Sequence, residues 1–151
     1  MSNEKKNTLY FAYGSNLWID QMARRCPGNT LLGLGIMRDW KWIIGSSGYA
    51  NVIESPGDLV HGFVYTLTPD DEEKLDGFES SGELYNKQMH DIEHMGRQEE
   101  CLVYVDVERP EQGHPRFEYI DRMNKAIRDA LKTGVPKEYI QRYLRPFIPK
   151  Q

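Results

Sequence analysis

The nine-residue stretch from Leu9 to Leu17 constrains the fold of this chain more than any other. Residues Leu9 to Tyr13 are apolar or aromatic and follow a polar segment, a pattern typical of a buried strand. Gly14 interrupts that pattern, and Ser15 and Asn16 are residue types that cap the start of a helix. The stretch predicts a strand, a tight glycine turn and a helix start, which together direct several backbone N–H groups at one point. Such a concavity binds an anion or a developing oxyanion.

The segment after this turn predicts a short helix. It runs from Leu17 to Arg25, Pro27-Gly28 terminates it, and Ile19, Met22 and Ala23 share one face. A strand and a helix that are packed for stability alone would show the same pattern, since strand-to-helix turns are common in chains that contain both elements. The pattern therefore leaves a binding role and a purely structural role open.

Length and composition bound the class of protein. With 151 residues the chain is long enough for one core, and we predict a disordered tail over residues 1–8 and a single domain over residues 9–151. The content of 39% hydrophobic and 28% charged residues is typical of a soluble globular protein, and the net charge of −4 argues against nucleic-acid binding. No apolar run approaches the roughly 18 residues of a membrane span, and no signal-peptide core is present. We expect a cytoplasmic protein, whose oligomeric state the sequence leaves open.

The residues that most often bind metals or act as nucleophiles form no convincing cluster. Cys26 and Cys101 are far apart and outside any Cys-x-x-Cys motif, so reduced structural thiols are expected. His90 and His94 lie on a strand-like segment, where residues four apart are too distant to hold one ion easily. Ser15 lacks a Gly-x-Ser-x-Gly context and an evident histidine partner. The sequence predicts no metal site and no cofactor.

The remainder of the chain alternates strands and helices. Thr30 to Ile44 predicts one long strand, or two, bent at its glycines. Ala50 to Ile53 predicts a short strand that a Ser-Pro-Gly-Asp turn stops, and Leu59 to Leu67 predicts a strand covered on both faces. Two more strands are expected over Leu84 to Glu93 and Glu100 to Val107. About six strands in this order favour a mixed sheet, and the glycine bends favour strong curvature or closure.

Helices are predicted between and after these strands. Thr68 and Pro69 begin a helix that buries Leu75 and Phe78 and ends near Glu79. A longer amphipathic helix is expected from Glu118 to Thr133, followed by a last helix that starts at Pro136 and turns Tyr139, Ile140, Tyr143 and Leu144 inward. The chain is therefore of the α+β class.

The opening string Tyr-Phe-Ala-Tyr-Gly-Ser-Asn-Leu closely resembles the first motif of the γ-glutamylcyclotransferase family. Further segments match that family in the same order, which makes the resemblance specific: Leu34-Gly35-Ile36, Trp40 to Ile44, Asn51-Val52-Ile53, Gly62-Phe63-Val64-Tyr65 and Leu75-Asp76-Gly77-Phe78-Glu79. Together they cover about residues 9 to 107. The resemblance implies a small mixed β-barrel with helices packed outside.

The resemblance also implies an activity, that of a lyase or acyltransferase that forms 5-oxoproline. The α-amine of a γ-glutamyl compound attacks its own γ-carbonyl and closes a five-membered lactam, so the substrate itself supplies proximity and no enzyme nucleophile is required. An acid–base group must move a proton from the amine to the leaving group. Backbone N–H groups must stabilise the oxyanion.

Glu79 is the candidate for the acid–base group. It follows an apolar helix stripe at the edge of the core, where desolvation would raise the pKa of a carboxyl. In the family this position is the general acid/base. A solvated carboxylate at a helix C-terminus is the alternative. This chain also reads Glu79-Ser80-Ser81-Gly82 where the family commonly has Glu-Gly, which leaves the shape of the pocket open.

The resemblance also marks candidate substrate-binding residues, for each of which packing alone is the alternative. Tyr85 matches a tyrosine that follows the catalytic loop, and Tyr119 matches one that family members place beside the glutamyl end of the substrate. Gly14 is expected to let the backbone approach the substrate, possibly with positive φ. The full set is Tyr10, Tyr13, Gly14, Ser15, Asn16, Tyr85 and Tyr119.

Three functions remain open from the sequence. The leading hypothesis is an enzyme for a small-molecule γ-glutamyl substrate, and Tyr-Gly-Ser-Asn is closer to members that act on γ-glutamyl amino acids than to the Tyr-Gly-Ser-Leu of the glutathione-specific ones. The second is a non-catalytic protein on the same fold that binds a small anion or a γ-glutamyl ligand. The third is an interaction scaffold, for which the aromatic content is the only support.

Overall fold

The computed structural model describes residues 6–80 and 85–151. In this part of the chain five strands form a closed barrel in the order β1-β3-β2-β4-β5. All neighbouring strands are antiparallel except β1 and β5, which close the barrel in parallel. The expected mixed α+β barrel is confirmed, with five strands rather than about six. The strands are β1 Thr8–Ala12, β2 Thr30–Ile44, β3 Ala50–Leu67, β4 Asn86–His94 and β5 Arg97–Val105.

The difference in strand count arises in β3. The two strands predicted over Ala50–Ile53 and 59–67 are one 18-residue strand, so the predicted stop between them is wrong. Residues 55–58 instead bulge out opposite Asp39 of β2, while the flanking residues keep their pairing. Asp39 (φ 67°) and Gly57 (φ 86°) both take left-handed backbone, and the Gly57 N–H donates to Asp39 Oδ1 at 3.0 Å. The turn-forming residues of β3 therefore form a bulge and do not end the strand, because β2 departs from regular pairing at the facing position.

Glycines let β1 pack closely across the barrel. Gly35 of β2 pairs with Gly62 of β3, and the ring of Phe11 lies over both. A Cβ on Gly62 would lie 2.2 Å from the carbonyl oxygen of Ala12 and 2.8 Å from the Phe11 ring. Glycine is therefore required here because another backbone and a buried ring occupy the space of a side chain. This packing fixes the position of the end of β1, which leads directly into the glycine turn at Gly14.

Four α-helices lie around the barrel in the described ranges, with a 3₁₀ turn over Ser15–Leu17. They are α1 Ile19–Arg25, α2 Pro69–Ser80, α3 Phe117–Thr133 and α4 Lys137–Tyr139, the last continuing as a π-helical turn over Ile140–Leu144. Tyr139, Ile140, Tyr143 and Leu144 are buried, as predicted. No helix in the described residues is long and apolar enough to cross a membrane.

The apolar face that the sequence predicted for α1 is buried only in part. Met22 is fully buried, but Ile19 is 39% exposed and Ala23 is exposed, while the polar Gln21 is buried in their place. The helix is only two turns long and packs beside the 3₁₀ turn, so a buried polar contact rather than an apolar stripe determines its orientation.

The start of α2 agrees with the prediction, and its end agrees in part. Thr68 Oγ1 accepts the backbone N–H of Asp71 at 3.1 Å and caps the helix. Leu75 is buried as predicted, but Phe78 is 51% exposed, so its predicted burial is wrong. The loop that departs from the family pattern lies at 81–84, outside the described residues. At the N-terminus β1 begins at Thr8, the last residue of the predicted tail, and residues 1–5 lie outside the description.

Candidate active site

A cleft of about 240 Å³ lies where β1 ends and the last turn of α2 approaches the barrel. All eight residues that the sequence singled out line it. The structure therefore brings together residues that are as much as 109 positions apart, and adds others that the sequence did not indicate. The lining consists of Tyr10, Tyr13, Gly14, Ser15, Asn16, Arg25, Tyr49, Ala50, Phe78, Glu79, Tyr85, Tyr104, Tyr119 and Arg122.

Among the residues of this lining that the structure describes, Glu79 is the acidic one. Its side chain is only 16% exposed, and this burial raises the pKa of the carboxyl to about 7. The positive charges of Arg25 and Arg122 and a hydrogen bond from Asn16 lower the same pKa, but by less than burial raises it. A carboxyl that is half ionised near neutral pH can both accept and donate a proton. The solvated helix-end carboxylate that was the alternative is not what the structure shows.

Asn16 holds the carboxyl of Glu79 in position. Its Nδ2 donates to Glu79 Oε1 at 3.3 Å and to the hydroxyl of Tyr10 at 3.0 Å. Its Oδ1 accepts from Gln21 Nε2 at 3.0 Å and from Arg25 Nη1 at 3.3 Å. Both ends of the amide are thus engaged, and only this orientation presents donors to the carboxyl and an acceptor to the arginine. The predicted helix-capping role of Asn16 is wrong.

Gln21 connects the glycine turn to α3, and sequence reasoning missed it. Its Nε2 donates to Ser15 Oγ at 3.0 Å, and its Oε1 accepts from Arg122 Nη1 at 3.3 Å. The side chain of Ser15 is therefore part of this network, and the N-cap of α1 is Trp18, without a side-chain hydrogen bond. A buried glutamine next to an apolar residue on a short helix carries no periodic signal that could have indicated this role.

The turn at Gly14 differs in detail from the expectation. Its φ is −113°, so the positive φ considered for it is wrong. A side chain at position 14 is instead restricted by lack of space, because a Cβ on Gly14 would lie 3.1 Å from both Ala50 Cβ and Tyr119 Oη. The 3₁₀ turn bonds the Leu17 N–H to the Gly14 carbonyl at 3.0 Å. The N–H groups of the first two residues of such a turn have no acceptor within it.

Five of the tyrosines in the lining use their hydroxyls to hold the walls of the cleft. Tyr13 Oη donates to the carbonyl of Tyr104 at 2.6 Å, and Tyr85 Oη donates to the carbonyl of Ala50 at 2.7 Å. Tyr104 Oη donates to Asp76 Oδ1 at 2.6 Å. Burial is the first cause that raises the pKa of each of these hydroxyls, and it does the same for Tyr10 and Tyr119. The tyrosines are neutral, and their rings form a rigid aromatic wall.

Tyr119 lies where α3 meets the glycine turn. Its ring packs edge-on against Tyr49 at 5.1 Å between centroids, and the guanidinium of Arg122 lies 4.8 Å from its ring centre. Burial raises the pKa of its hydroxyl by more than the Ala50 backbone and the Ser15 side chain lower it. Tyr119 therefore lines the floor behind Gly14, and the sequence pattern could not distinguish this position from a core aromatic.

The cysteines lie outside the cleft lining. Cys26 and Cys101 are buried free thiols, and burial raises the pKa of each to about 12. Within residues 6–80 and 85–151 no group of three His, Cys, Asp or Glu side chains is placed to hold a metal ion. His94 Nδ1 is hydrogen-bonded to the carbonyl oxygen of Leu34 at 2.8 Å. Among the described residues of the cleft lining, Glu79 is therefore the group whose pKa is shifted to near neutral.

The described residues thus combine a closed mixed barrel, a glycine turn and a buried carboxyl in a tyrosine-lined cleft. A family model described as "Gamma-glutamyl cyclotransferase, AIG2-like" matches residues 10–121. The chain belongs to this family, and the resemblance noted in the sequence is confirmed.

Individual relatives agree with this assignment. The chain is 28% identical to human γ-glutamylcyclotransferase over 149 residues, which cover 90% of this chain and 77% of the human protein. It is 28% identical to the mouse γ-glutamylcyclotransferase over 161 residues, which cover 98% of this chain and 82% of the mouse protein. A solved structure of a γ-glutamyl cyclotransferase superposes with a TM-score of 0.82 at 25% identity, over 97% of this chain and 90% of that one.

Proposed function

We propose that this protein is a γ-glutamylcyclotransferase that converts a γ-glutamyl compound into 5-oxoproline and a free amino acid or amine, with Glu79 as the general base and acid. Family membership and the named relatives support the general activity. The observation that carries the proposal is the carboxyl of Glu79, buried in the cleft with a pKa of about 7.

The reaction needs one proton carrier and one oxyanion site. Glu79, as the carboxylate, takes a proton from the α-ammonium of the substrate, and the free amine forms a bond to its own γ-carbonyl carbon. The negative charge that develops on the carbonyl oxygen is placed against the backbone N–H groups of Ser15 and Asn16. Protonated Glu79 then gives its proton to the leaving nitrogen, and the original amide bond breaks. The ring nitrogen loses its remaining extra proton, which the released amine takes up, so the products are 5-oxoproline with a neutral lactam and an ammonium. No water is consumed and no covalent enzyme intermediate forms.

The other predicted residues shape the site in this proposal. Asn16 orients the carboxyl of Glu79 through its hydrogen bond to Oε1, and Tyr10 helps to hold Asn16 because its hydroxyl accepts from the same amide nitrogen. Tyr13, Tyr85 and Tyr119 form the walls that hold the glutamyl chain in the folded conformation that cyclisation requires. Because the hydroxyls of Tyr13 and Tyr85 already donate to backbone carbonyls, these two tyrosines contribute shape more than proton transfer.

The direct test is incubation of the purified protein with a panel of γ-glutamyl dipeptides and detection of 5-oxoproline. We expect release with at least one dipeptide, and kcat/KM that rises with pH through about 7 as Glu79 becomes ionised. Glu79→Gln, prepared in parallel, identifies any contaminating activity. No 5-oxoproline from any dipeptide would contradict the proposal.

A non-catalytic binding protein remains the second candidate, because the described lining of the cleft contains two cations, Arg25 and Arg122, and one carboxyl. Such a protein would bind a γ-glutamyl dipeptide in a calorimetric titration without releasing 5-oxoproline. Turnover that disappears in Glu79→Gln, while binding persists, supports the enzyme over the binder.

A further inference from the structure

Two arginines line the cleft, and the mechanism above uses neither. Arg122 already forms a two-pronged ion pair, with its Nε and Nη2 each 3.1 Å from a carboxylate oxygen of Glu118. Arg25 differs. Within the part of the chain that the structure describes, its hydrogen bond goes to the neutral amide oxygen of Asn16, and the closest carboxyl oxygen, Glu79 Oε1, is 4.0 Å away. Among the described residues, no carboxylate therefore pairs with the charge of Arg25 at hydrogen-bonding distance.

The guanidinium of Arg25 is held in a fixed place at the edge of the cleft. One face lies 4.7 Å from the ring centre of Phe78, and its Nη1 is bonded to Asn16. Its side chain is 20% exposed, so most of its surroundings are protein. Stacking on an aromatic ring leaves the planar N–H groups of an arginine directed outward at the edge of the ring, where an anion can meet them. The otherwise unfavourable exposure of Phe78 is explained by this stacking.

The chemistry of a γ-glutamyl compound determines what that anion is. Its α-amine must reach Glu79, and its α-carboxylate is attached to the same carbon as the amine. A carboxylate on that carbon is brought to the neighbourhood of Glu79 Oε1, which is where Nη1 of Arg25 lies. Guanidinium and carboxylate are matched in charge and in planar two-pronged geometry.

We propose that Arg25, supported by Phe78 and Asn16, binds the α-carboxylate of the γ-glutamyl group. This inference rests on the proposed function. It makes the protein favour γ-glutamyl compounds whose α-carboxylate is free over isopeptide linkages in which that carboxyl is part of a peptide bond. Arg25 is then a specificity-determining residue, since it selects the substrate without moving the proton.

The test compares two substrates that release the same product. One is γ-glutamyl-alanine. The other is the same compound with the α-carboxylate of its glutamyl group replaced by a carboxamide, so both reactions release free alanine. For Arg25→Gln we expect kcat/KM on the free acid to fall about 100-fold, mostly through KM, because a charge-assisted pair of bonds is lost. On the α-amide the same variant should differ from the parent by less than about fivefold at a pH well above 7, because that bond is absent in both. At such a pH Glu79 is ionised in both proteins, although Arg25 no longer lowers its pKa in the variant.

Two further variants make the result specific. Arg24→Gln removes the neighbouring positive charge, which lies outside the cleft lining and pairs with Asp20 on the helix surface, and it should leave both rates unchanged. Arg122→Gln should lower kcat/KM for the two substrates by the same factor, because Arg122 acts on the site through its contacts with Gln21 and Tyr119. Thermal midpoints of all variants show that each is folded.

The outcomes separate this inference from the proposed function. If the parent protein releases alanine from neither substrate, the proposed function fails. If the parent is active but Arg25→Gln loses the same factor on both substrates, or if only Arg122→Gln shows the loss on the free acid, the assignment of Arg25 is overturned. A loss confined to the free acid in Arg25→Gln establishes it.

Discussion

Two carboxyl groups at different places on the barrel have opposite electrostatic environments. Asp58, in the bulge of β3, accepts hydrogen bonds from Ser55 Oγ at 2.6 Å and from Tyr143 Oη at 2.5 Å, and these bonds lower its pKa. Glu79, in the cleft, has a hydrogen-bond donor in Asn16 and a guanidinium 4.0 Å away, yet its pKa is raised to about 7. The number of favourable partners therefore does not decide which carboxyl stays ionised.

Access to water decides the difference. The bulge leaves Asp58 partly open to solvent, so the two hydroxyls add to hydration instead of replacing it. The tyrosine wall removes most of the hydration of Glu79, and one amide and two arginines do not replace it fully. Asp58 stabilises the fold as an anion, whereas ionised Glu79 destabilises it. A carboxyl that costs stability when charged is expected at a site of function.

The largest expected effect is on turnover, in Glu79→Gln. The amide keeps the shape of the side chain but cannot carry a proton, so kcat should fall by about two to four orders of magnitude. Binding of the γ-glutamyl dipeptide, measured by calorimetry on the variant, should change much less. Activity within a few-fold of the parent would remove Glu79 from its proposed role.

Gly14→Val should give the next largest loss. Its Cβ would lie 3.1 Å from Ala50 Cβ and Tyr119 Oη, and the branched side chain must displace one of them and turn the N–H groups of the oxyanion site. A misdirected oxyanion donor costs roughly 100-fold in kcat. The thermal midpoint should show a folded protein, because β1 packs upstream of the change. A folded variant with parental turnover would show that the glycine turn holds no oxyanion.

The pH dependence of stability tests the comparison directly. The raised pKa of Glu79 means that the folded state retains a proton that the unfolded state loses between pH 4.5 and about 7, so its contribution to stability declines as pH rises through this window. Glu79→Gln removes that loss, and above pH 7 it should be more stable than the parent by up to about 3 kcal/mol. Denaturant unfolding at pH 5 and pH 8 measures the difference. Equal stabilities at pH 8 would show that the carboxyl is hydrated.

Asp58→Asn should behave in the opposite way. A lowered pKa means that the ionised carboxyl stabilises the fold above the ordinary aspartate pKa, and that this stability is lost as pH falls through the lowered value. The variant should therefore be less stable than the parent at neutral pH and should approach it in acid, while 5-oxoproline release is unchanged. A stability difference that grows towards low pH would contradict this account.

The smallest effect is expected from chelation and alkylation. EDTA should not change turnover, since proton transfer by Glu79 accounts for the proposed reaction. Iodoacetamide should not change it either, because the buried thiols of Cys26 and Cys101 are protonated at neutral pH. Activity lost with EDTA and restored by a divalent ion would reveal a metal requirement.

Much of the barrel follows from local pattern. The apolar alternation of the strands, the Thr68 cap of α2 and the glycine end of α3 are encoded within a few residues of where they act. The failures occurred where a distant element decided the outcome. Gln21 rather than Ile19 is buried on α1, because α1 packs against the glycine turn and α3. The turn residues at 55–58 remained within one strand, because β2 is irregular opposite them.

For the functional site the sequence by itself determined which residues are present, including the glycine turn, the acid after α2 and the tyrosines. Only the tertiary structure decided how they act. Asn16 and Glu79 are 63 residues apart, and their hydrogen bond, the burial that raises the pKa of Glu79 and the position of Arg25 on Phe78 all require that α1, α2 and β1 meet at one end of the barrel. Desolvation and hydrogen-bond direction depend on everything that surrounds a group, and sequence spacing does not contain that information.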